Sequence, residues 1–252
     1  MLNKDSQIGV ISRTFCRSKG LRILLDREFN NVKYNEDLKH FNQEDLIEFL
    51  KGCEGIIVAE DKISKRVLNE LPSLKVVSKF GVGLNNIDVD YLNEKNIHLG
   101  WRSGINASSV AELALCYIIL MLREAYCLNR SLINGSWLKV NNSRELSEST
   151  IGIIGFGNIG KKLASLLQPY QTQILVCDSL LDPEQDLEEN VKVVSLSYLL
   201  KNSDAISLHV PLSDDTLGLI GESELRLMKD QSVLVNLSRG GVVCESALYK
   251  AL

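Results

Sequence analysis

Thr150-Ile151-Gly152-Ile153-Ile154-Gly155-Phe156-Gly157-Asn158-Ile159-Gly160 is the stretch on which the reading of the fold turns. Its first five residues form a short β-branched run, and residues 161–167 follow at helical period, so the glycines occupy a strand-to-helix turn. A second apolar run, Gln173–Cys177, ends on Asp178, near the spacing of about 20 residues expected of an acidic partner to such a turn. A G-x-G-x-x-G run alone is weak, but a strand before it, a helix after it and an acid closing the next strand make it specific. Gly155 permits the tight turn, Gly157 lets backbone approach a diphosphate, and Gly160 lets the helix pack closely on the strand. The helix N-terminus, with unpaired N–H groups and a positive dipole end, suits the phosphates. Asp178 would accept hydrogen bonds from adenine ribose hydroxyls and repel a 2′-phosphate, which favours NAD over NADP. The competing reading, an ordinary βαβ turn with a surface aspartate, is outweighed by this context.

Working outward, strand-like runs recur at 191–194, 204–210 and 232–237, which gives a βαβ series and a parallel sheet. A similar rhythm fills the first hundred residues: strands at 8–11, 55–58, 75–78 and 97–99, helices at 43–50, 64–71 and 89–95, and a turn carrying Gly81 and Gly83. The expected fold is therefore α/β, with two parallel-sheet domains at 1–104 and 105–252. A long helix from Asn106 or Ala107 to about Tyr126 marks the boundary, its segment 113–122 apolar all round and expected to be buried on every side. That segment is about half of the roughly 20 residues needed to span a bilayer. Residues 129–149 are polar and read as a surface connection anchored by Trp137, and the acidic stretch 182–189 as a solvated loop.

Composition excludes several classes of function. With 45% hydrophobic and 24% charged residues the chain must pack a core rather than stay disordered. A net charge of −4 with scattered basic residues gives no footprint for nucleic acid or anionic lipid, so a small-molecule partner is expected. No apolar stretch follows the charges of the first six residues, which points to a cytoplasmic protein. Cys16, Cys53, Cys116, Cys127, Cys177 and Cys244 lie far apart and read as buried free thiols. The three histidines, His40, His98 and His209, are dispersed as well, so no metal is expected.

Four segments in order, Lys79-Phe80-Gly81-Val82-Gly83-Leu84-Asn85-Asn86-Ile87-Asp88, residues 106–113 with Val110-Ala111-Glu112, the glycine turn, and Asn236-Leu237-Ser238-Arg239-Gly240-Gly241, carry a resemblance. The chain resembles the D-isomer-specific 2-hydroxyacid dehydrogenases, especially their phosphoglycerate-dehydrogenase-like branch. That resemblance implies a flavodoxin-like substrate domain, an NAD-binding Rossmann domain inserted after it, and an active site in the cleft between them. It makes Gly81, Val82 and Gly83 the loop that holds a substrate carboxylate, a use that consecutive N–H groups in a turn support physically. Arg239, at the carboxyl end of a strand, becomes the catalytic arginine that clamps the carboxylate and polarises the carbonyl, its planar fork holding two oxygens at once. Phe156, Asn158 and Ile159 would meet the pyrophosphate, Thr216 would lie near the phosphates, and His209, Val210 and Pro211 would line the adenosine side. Leu237, Ser238 and Arg239 would approach the nicotinamide.

Lys79 stands beside the carboxylate loop, either as an exposed lysine or as a contact to a distal anion. The resemblance further implies a 2-hydroxy or 2-keto acid substrate and a homodimer paired through the long helix. It places the general acid/base histidine and its acidic partner beyond the position of Leu252, so the chain reads as truncated within its second domain. Gly100-Trp101-Arg102-Ser103-Gly104 departs from the usual family wording. Two other readings stay open: an NAD-binding module without catalysis that serves a partner protein, and a different Rossmann enzyme that uses bound NAD.

Overall fold

Short β-branched runs alternating with amphipathic stretches close here into two parallel sheets, five strands in each. The computed structural model describes residues 2–182 and 187–252, and these fall into two compact units, Met1–Ile105 and Asn106–Leu252.

In the first unit the elements run β1 (Gln7–Val10), α1 (Arg13–Arg17), α2 (Lys19–Glu28), β2 (Asn31–Tyr34), α3 (Gln43–Leu50), β3 (Gly55–Val58), α4 (Lys65–Asn69), β4 (Val76–Lys79), α5 (Val89–Glu94) and β5 (His98–Gly100). The strand order β2-β1-β3-β4-β5 is that of flavodoxin-like sheets. Leu46 and Leu50 of α3, Val67 and Leu68 of α4, and Tyr91 and Leu92 of α5 pack on one face. Ile8 and Val10 bury the other face under Phe15 and Cys16. Side-chain caps set the helix starts: Asn42 Oδ1 accepts from Asp45 N at 2.8 Å, and Asp88 Oδ1 from Tyr91 N at 3.1 Å. Strand β2 has no counterpart in the sequence reading, because a half-exposed edge strand needs little apolar character.

The second unit continues with α6 (Ala107–Leu122), α7 (Ala125–Ile133), β6 (Thr150–Ile154), α8 (Asn158–Leu167), β7 (Gln173–Cys177), β8 (Val191–Val193), α9 (Leu196–Asn202), β9 (Ala205–Leu208), α10 (Glu222–Leu227), β10 (Val233–Asn236) and α11 (Glu245–Ala251). Its order β10-β9-β6-β7-β8 is the doubly wound Rossmann arrangement, reversing direction between β6 and β9. The period of two splits each strand between faces. Ile151, Ile153, Ile174 and Val176 join α6 and α8 on one side, while Ile154, Leu175, Ile206 and Leu208 join Leu199 and Leu200 of α9 on the other. Ligands bind such sheets at the carboxyl ends of the strands beside the reversal, which is where β6 delivers the glycine turn.

At the opposite end, where β6 and β9 begin, Asp204, its side chain 12% exposed, accepts from Thr150 N at 2.8 Å, Arg144 Nη1 at 2.6 Å and Lys229 Nζ at 2.9 Å. Burial works to raise the pKa of this carboxyl, but the Thr150 N–H and the two cations prevail and hold it below the usual carboxylate range.

Several expectations need correction. The long helix stops at Leu122 rather than near Tyr126: Glu124 turns left-handed with φ 51°, and the separate helix α7 then occupies part of the stretch read as connection. No glycine or proline announces this break. Nor is residues 113–122 buried all round. Ala111, Ala114, Ile118 and Leu122 form the single stripe facing the core, whereas Leu113, Tyr117 and Met121 are 44%, 43% and 44% exposed. Trp137 is 79% exposed, so it is not the buried anchor of that stretch. Of the six thiols only Cys16 and Cys53 are buried; Cys116 and Cys127 are exposed because they lie on the open sides of α6 and α7. Residues 183–186 of the acidic stretch lie outside the described residues. Among the described residues no helix is long and apolar enough to cross a membrane, and no group of three or more His, Cys, Asp or Glu could hold a metal ion.

Candidate active site

Beyond the end of β6 the ladder runs on for one more bond on each side, Gly155 N to Cys177 O at 2.9 Å and His209 N to Ile154 O at 2.7 Å. The glycine turn therefore emerges between the ends of β7 and β9. Gly155 has φ +92°, and a Cβ there would lie 2.7 Å from the carbonyl carbon of His209; only glycine fits both the conformation and the space. A Cβ on Gly160 would lie 2.2 Å from Gly155 O, so this position lets α8 sit directly against the turn. Gly157 is different: a Cβ would meet nothing within 4 Å, and as the N-cap of α8 it offers no capping side chain. Open space over an uncapped helix start is the feature a diphosphate requires.

The side chains of Phe156 and Ile159 pack into the core, so these two residues present only backbone to the turn. Asn158 is exposed at the first helical position. Asp178 closes the other side, with Oδ2 accepting from Phe156 N at 2.6 Å and Oδ1 from Leu180 N at 2.9 Å. The carboxylate is thereby fixed against the turn. An open glycine cradle, an uncapped helix and a fixed acid together fit NAD.

On the β9 side, His209 Nε2 lies 2.9 Å from Ser207 Oγ, while Nδ1 is buried with no partner among the described residues. Burial drives the pKa of this imidazole down to about 4, so it is neutral at physiological pH. Val210 lies against Gly155. Thr216 Oγ1 donates to Pro211 O at 2.6 Å and accepts from Ser213 N at 2.8 Å, so its hydroxyl organises the turn that follows Pro211.

Arg239 is exposed just past β10. One arm of its fork, Nη1, donates to Ser238 O at 2.8 Å, and the rest meets no acceptor among the described residues. The sequence reading missed what holds this turn. Asn236 Oδ1 accepts from Ser238 N at 3.0 Å and Ser238 Oγ at 2.7 Å, and Asn236 Nδ2 donates to Arg239 O at 2.9 Å. The signal was an asparagine two residues before a serine, the spacing of an Asx-turn. Leu237 packs against the core from this same turn.

In the first unit the turn after β4 carries Gly81, with φ +143°, followed by Val82 and Gly83. Among the described residues no acceptor takes the N–H of any of these three. Trp101 Nε1 donates to Val82 O at 3.0 Å, so a residue in the divergent 100–104 stretch braces the turn. Lys79 is half-buried and tied by its ammonium to Ala59 O and, at 2.7 Å, to Asn86 Oδ1, rather than being solvated. The structure thus gathers residues 155–160, 178, 209–211 and 216 around one end of the second sheet, sets 237–239 at the end of its strand β10, and gathers 79–83 in the first unit.

Comparison with known proteins agrees with this geometry. The model of the D-isomer specific 2-hydroxyacid dehydrogenase NAD binding domain matches residues 115–252. The chain is 34% identical over 233 residues to a hydroxypyruvate reductase of Thermotoga maritima, covering 90% of this chain and 75% of that one. It is 32% identical over 239 residues to a glyoxylate reductase of Thermococcus litoralis, covering 91% and 72% respectively. The solved structure of a formate dehydrogenase of Staphylococcus aureus in complex with NAD superposes with TM-score 0.78 at 29% identity, covering 98% of this chain and 77% of that one. With its glycine turn, its fixed acid and these relatives, the chain belongs to the NAD-dependent D-isomer specific 2-hydroxyacid dehydrogenase family.

Proposed function

We propose that this protein moves a hydride between NAD and C2 of a small 2-hydroxy or 2-keto acid, with residues 155–160 and Asp178 as the dinucleotide site and Arg239 as the catalytic arginine. The observation that carries this is the glycine turn, where a Cβ is excluded at Gly155 and Gly160 yet meets only open space at Gly157. Bound NAD supplies the hydride acceptor or donor. The uncapped start of α8 holds its diphosphate, with Asn158 and Ile159 in the first turn and Thr216 bracing the neighbouring turn. Asp178 takes the adenine ribose hydroxyls, and His209, Val210 and Pro211 form the adenosine wall. Leu237 and Ser238 meet the nicotinamide half.

Gly81, Val82 and Gly83 direct their N–H groups to the substrate carboxylate. Arg239, one arm fixed on Ser238 O, turns the rest of its fork to the carboxylate and to the oxygen that gains negative charge as hydride arrives. His209 is not assigned proton transfer: burial pushes its pKa down to about 4, which makes it a poor base, and its Nε2 faces Ser207. Leu113, Tyr117 and Met121 recur at intervals of four on the open side of α6, a stripe that supports a homodimer. The exposed free thiols Cys116 and Cys127 favour a reducing compartment, the cytoplasm.

Glyoxylate and hydroxypyruvate, the acids named for the relatives above, are the substrates to try first, following NADH oxidation. Arg239→Gln should lower kcat/KM by about 10²- to 10³-fold, the effect of losing one donor to a developing oxyanion. Unchanged kcat/KM would remove Arg239 from the reaction.

A further inference from the structure

We propose that Lys79 and Asn86 are positioning residues: together they clamp the substrate-carboxylate turn shut, and the Lys79 ammonium is a strut rather than a contact to the substrate. This rests on the assignment of residues 81–83 to the carboxylate. Lys79 is the last residue of β4, and Asn86 lies at the far end of the turn, so the bond of 2.7 Å from Lys79 Nζ to Asn86 Oδ1 closes residues 80–85 into a ring. Both side chains then reach the segment after β3. Lys79 Nζ donates to Ala59 O, and Asn86 Nδ2 donates to Ala59 O at 3.1 Å and to Asp61 O at 2.6 Å. Phe80 N donates to Val58 O at 2.8 Å, which fixes the start of the turn to the last residue of β3.

The arrangement uses polar groups economically. An asparagine amide has one acceptor and two donors; here the acceptor takes the ammonium and the amide nitrogen bonds two carbonyls. An ammonium has three donors, and here it donates to Ala59 O and Asn86 Oδ1. An isolated glycine-bearing turn has many accessible conformations, and aiming three N–H groups at one anion requires selecting one of them. Restraining both ends in the free protein removes that ordering cost from the binding step. Trp101, through Val82 O, restrains the middle in the same sense. A consequence for substrate class follows: a phosphate at the far end of the acid would have to compete with Ala59 O and Asn86 Oδ1 for Lys79, so Lys79 does not select phosphorylated acids.

The test compares D-glycerate with D-3-phosphoglycerate, which differ in the distal phosphate, by calorimetry on the NADH-loaded protein. Wild type, Lys79→Met, Lys79→Arg and Asn86→Ala are compared, and amide hydrogen exchange across residues 80–85 is followed without any ligand. The clamp predicts that Lys79→Met and Asn86→Ala weaken both acids by the same factor, about 10- to 100-fold, leave NADH affinity unchanged and speed exchange at residues 81–83. Lys79→Arg, whose fork can reach both oxygens, should recover most of the affinity. Loss confined to the phosphorylated acid would make Lys79 a distal-anion contact and overturn the proposal. A lower melting temperature with unchanged acid affinity and unchanged exchange would also overturn it. If wild type binds NADH but neither acid, the carboxylate assignment falls instead, and exchange alone decides whether the two side chains hold the turn.

Discussion

Burial of His209 should make the protein measurably less stable in mild acid, and the size of the effect follows from one number. The folded imidazole titrates near 4 against about 6.5 in an unfolded chain. A group whose folded pKa lies below its unfolded value binds fewer protons when folded, so its full contribution is present above about pH 6.5 and is lost as the pH falls towards about 4. The difference in pKa is about 2.5, or roughly 3.4 kcal/mol at about 1.36 kcal/mol for each. Linkage gives a loss of about 1.4 kcal/mol by pH 5.5 and about 2.5 kcal/mol by pH 4.5. Urea unfolding of wild type and His209→Gln at pH 7.0, 5.5 and 4.5 isolates the term, because losses from carboxylates are common to both proteins and cancel. The variant should be less pH-sensitive than wild type by those amounts. Parallel pH profiles would refute the reasoning, and would reopen His209 as a group able to carry a proton at the active site.

Two further predictions concern the second sheet. Gly160→Ala places a methyl 2.2 Å from Gly155 O, a clash with backbone that should cost about 1–3 kcal/mol or more and abolish NADH binding; an unchanged melting temperature would contradict the close packing of α8 on the turn. Asp204→Ala strands Arg144, Lys229 and Thr150 N–H and should cost about 3–5 kcal/mol in urea unfolding at pH 7. Because the Asp204 carboxyl is held below its usual range, that stabilisation is present above about pH 3.9 and is lost as the pH falls through the lower folded value. A destabilisation of the same size at pH 7 and pH 3 would show that the ion pairs are not its source.

Much of the second sheet could be read from its strands, because a sheet covered on both faces demands nearly continuous apolar runs such as Ile151 to Ile154 and Ile174 to Val176. The glycine turn was legible for a related reason: at Gly155 and Gly160 the backbone leaves no room for a Cβ, and at Gly157 a side chain would fill the open space over the helix start. What escaped the sequence was set by neighbours distant along the chain. The end of α6 at Leu122 depends on a left-handed Glu124 with no breaker residue, and which side of α6 is covered depends on where α8 lies. The roles of Asn86, Trp101 and Asn236 are hydrogen bonds to turns formed elsewhere, and Asp204 draws its partners from residues 144, 150 and 229. Lys79 looked solvated because lysine usually is; only the fold brings Ala59 O and Asn86 within its reach.

The central claim, a working NAD site on the turn after β6, is tested most directly by fluorescence titration with NADH, with NADPH as competitor, of wild type and Gly157→Ala. Gly157 has φ −78° and open space at its Cβ position, so alanine should fold with an unchanged melting temperature while its methyl occupies the diphosphate's place. The account predicts saturable NADH binding by wild type, weak competition by NADPH because of Asp178, and at least a tenfold loss of affinity, about 1.4 kcal/mol, in the variant. A folded Gly157→Ala protein that binds NADH as tightly as wild type would contradict it.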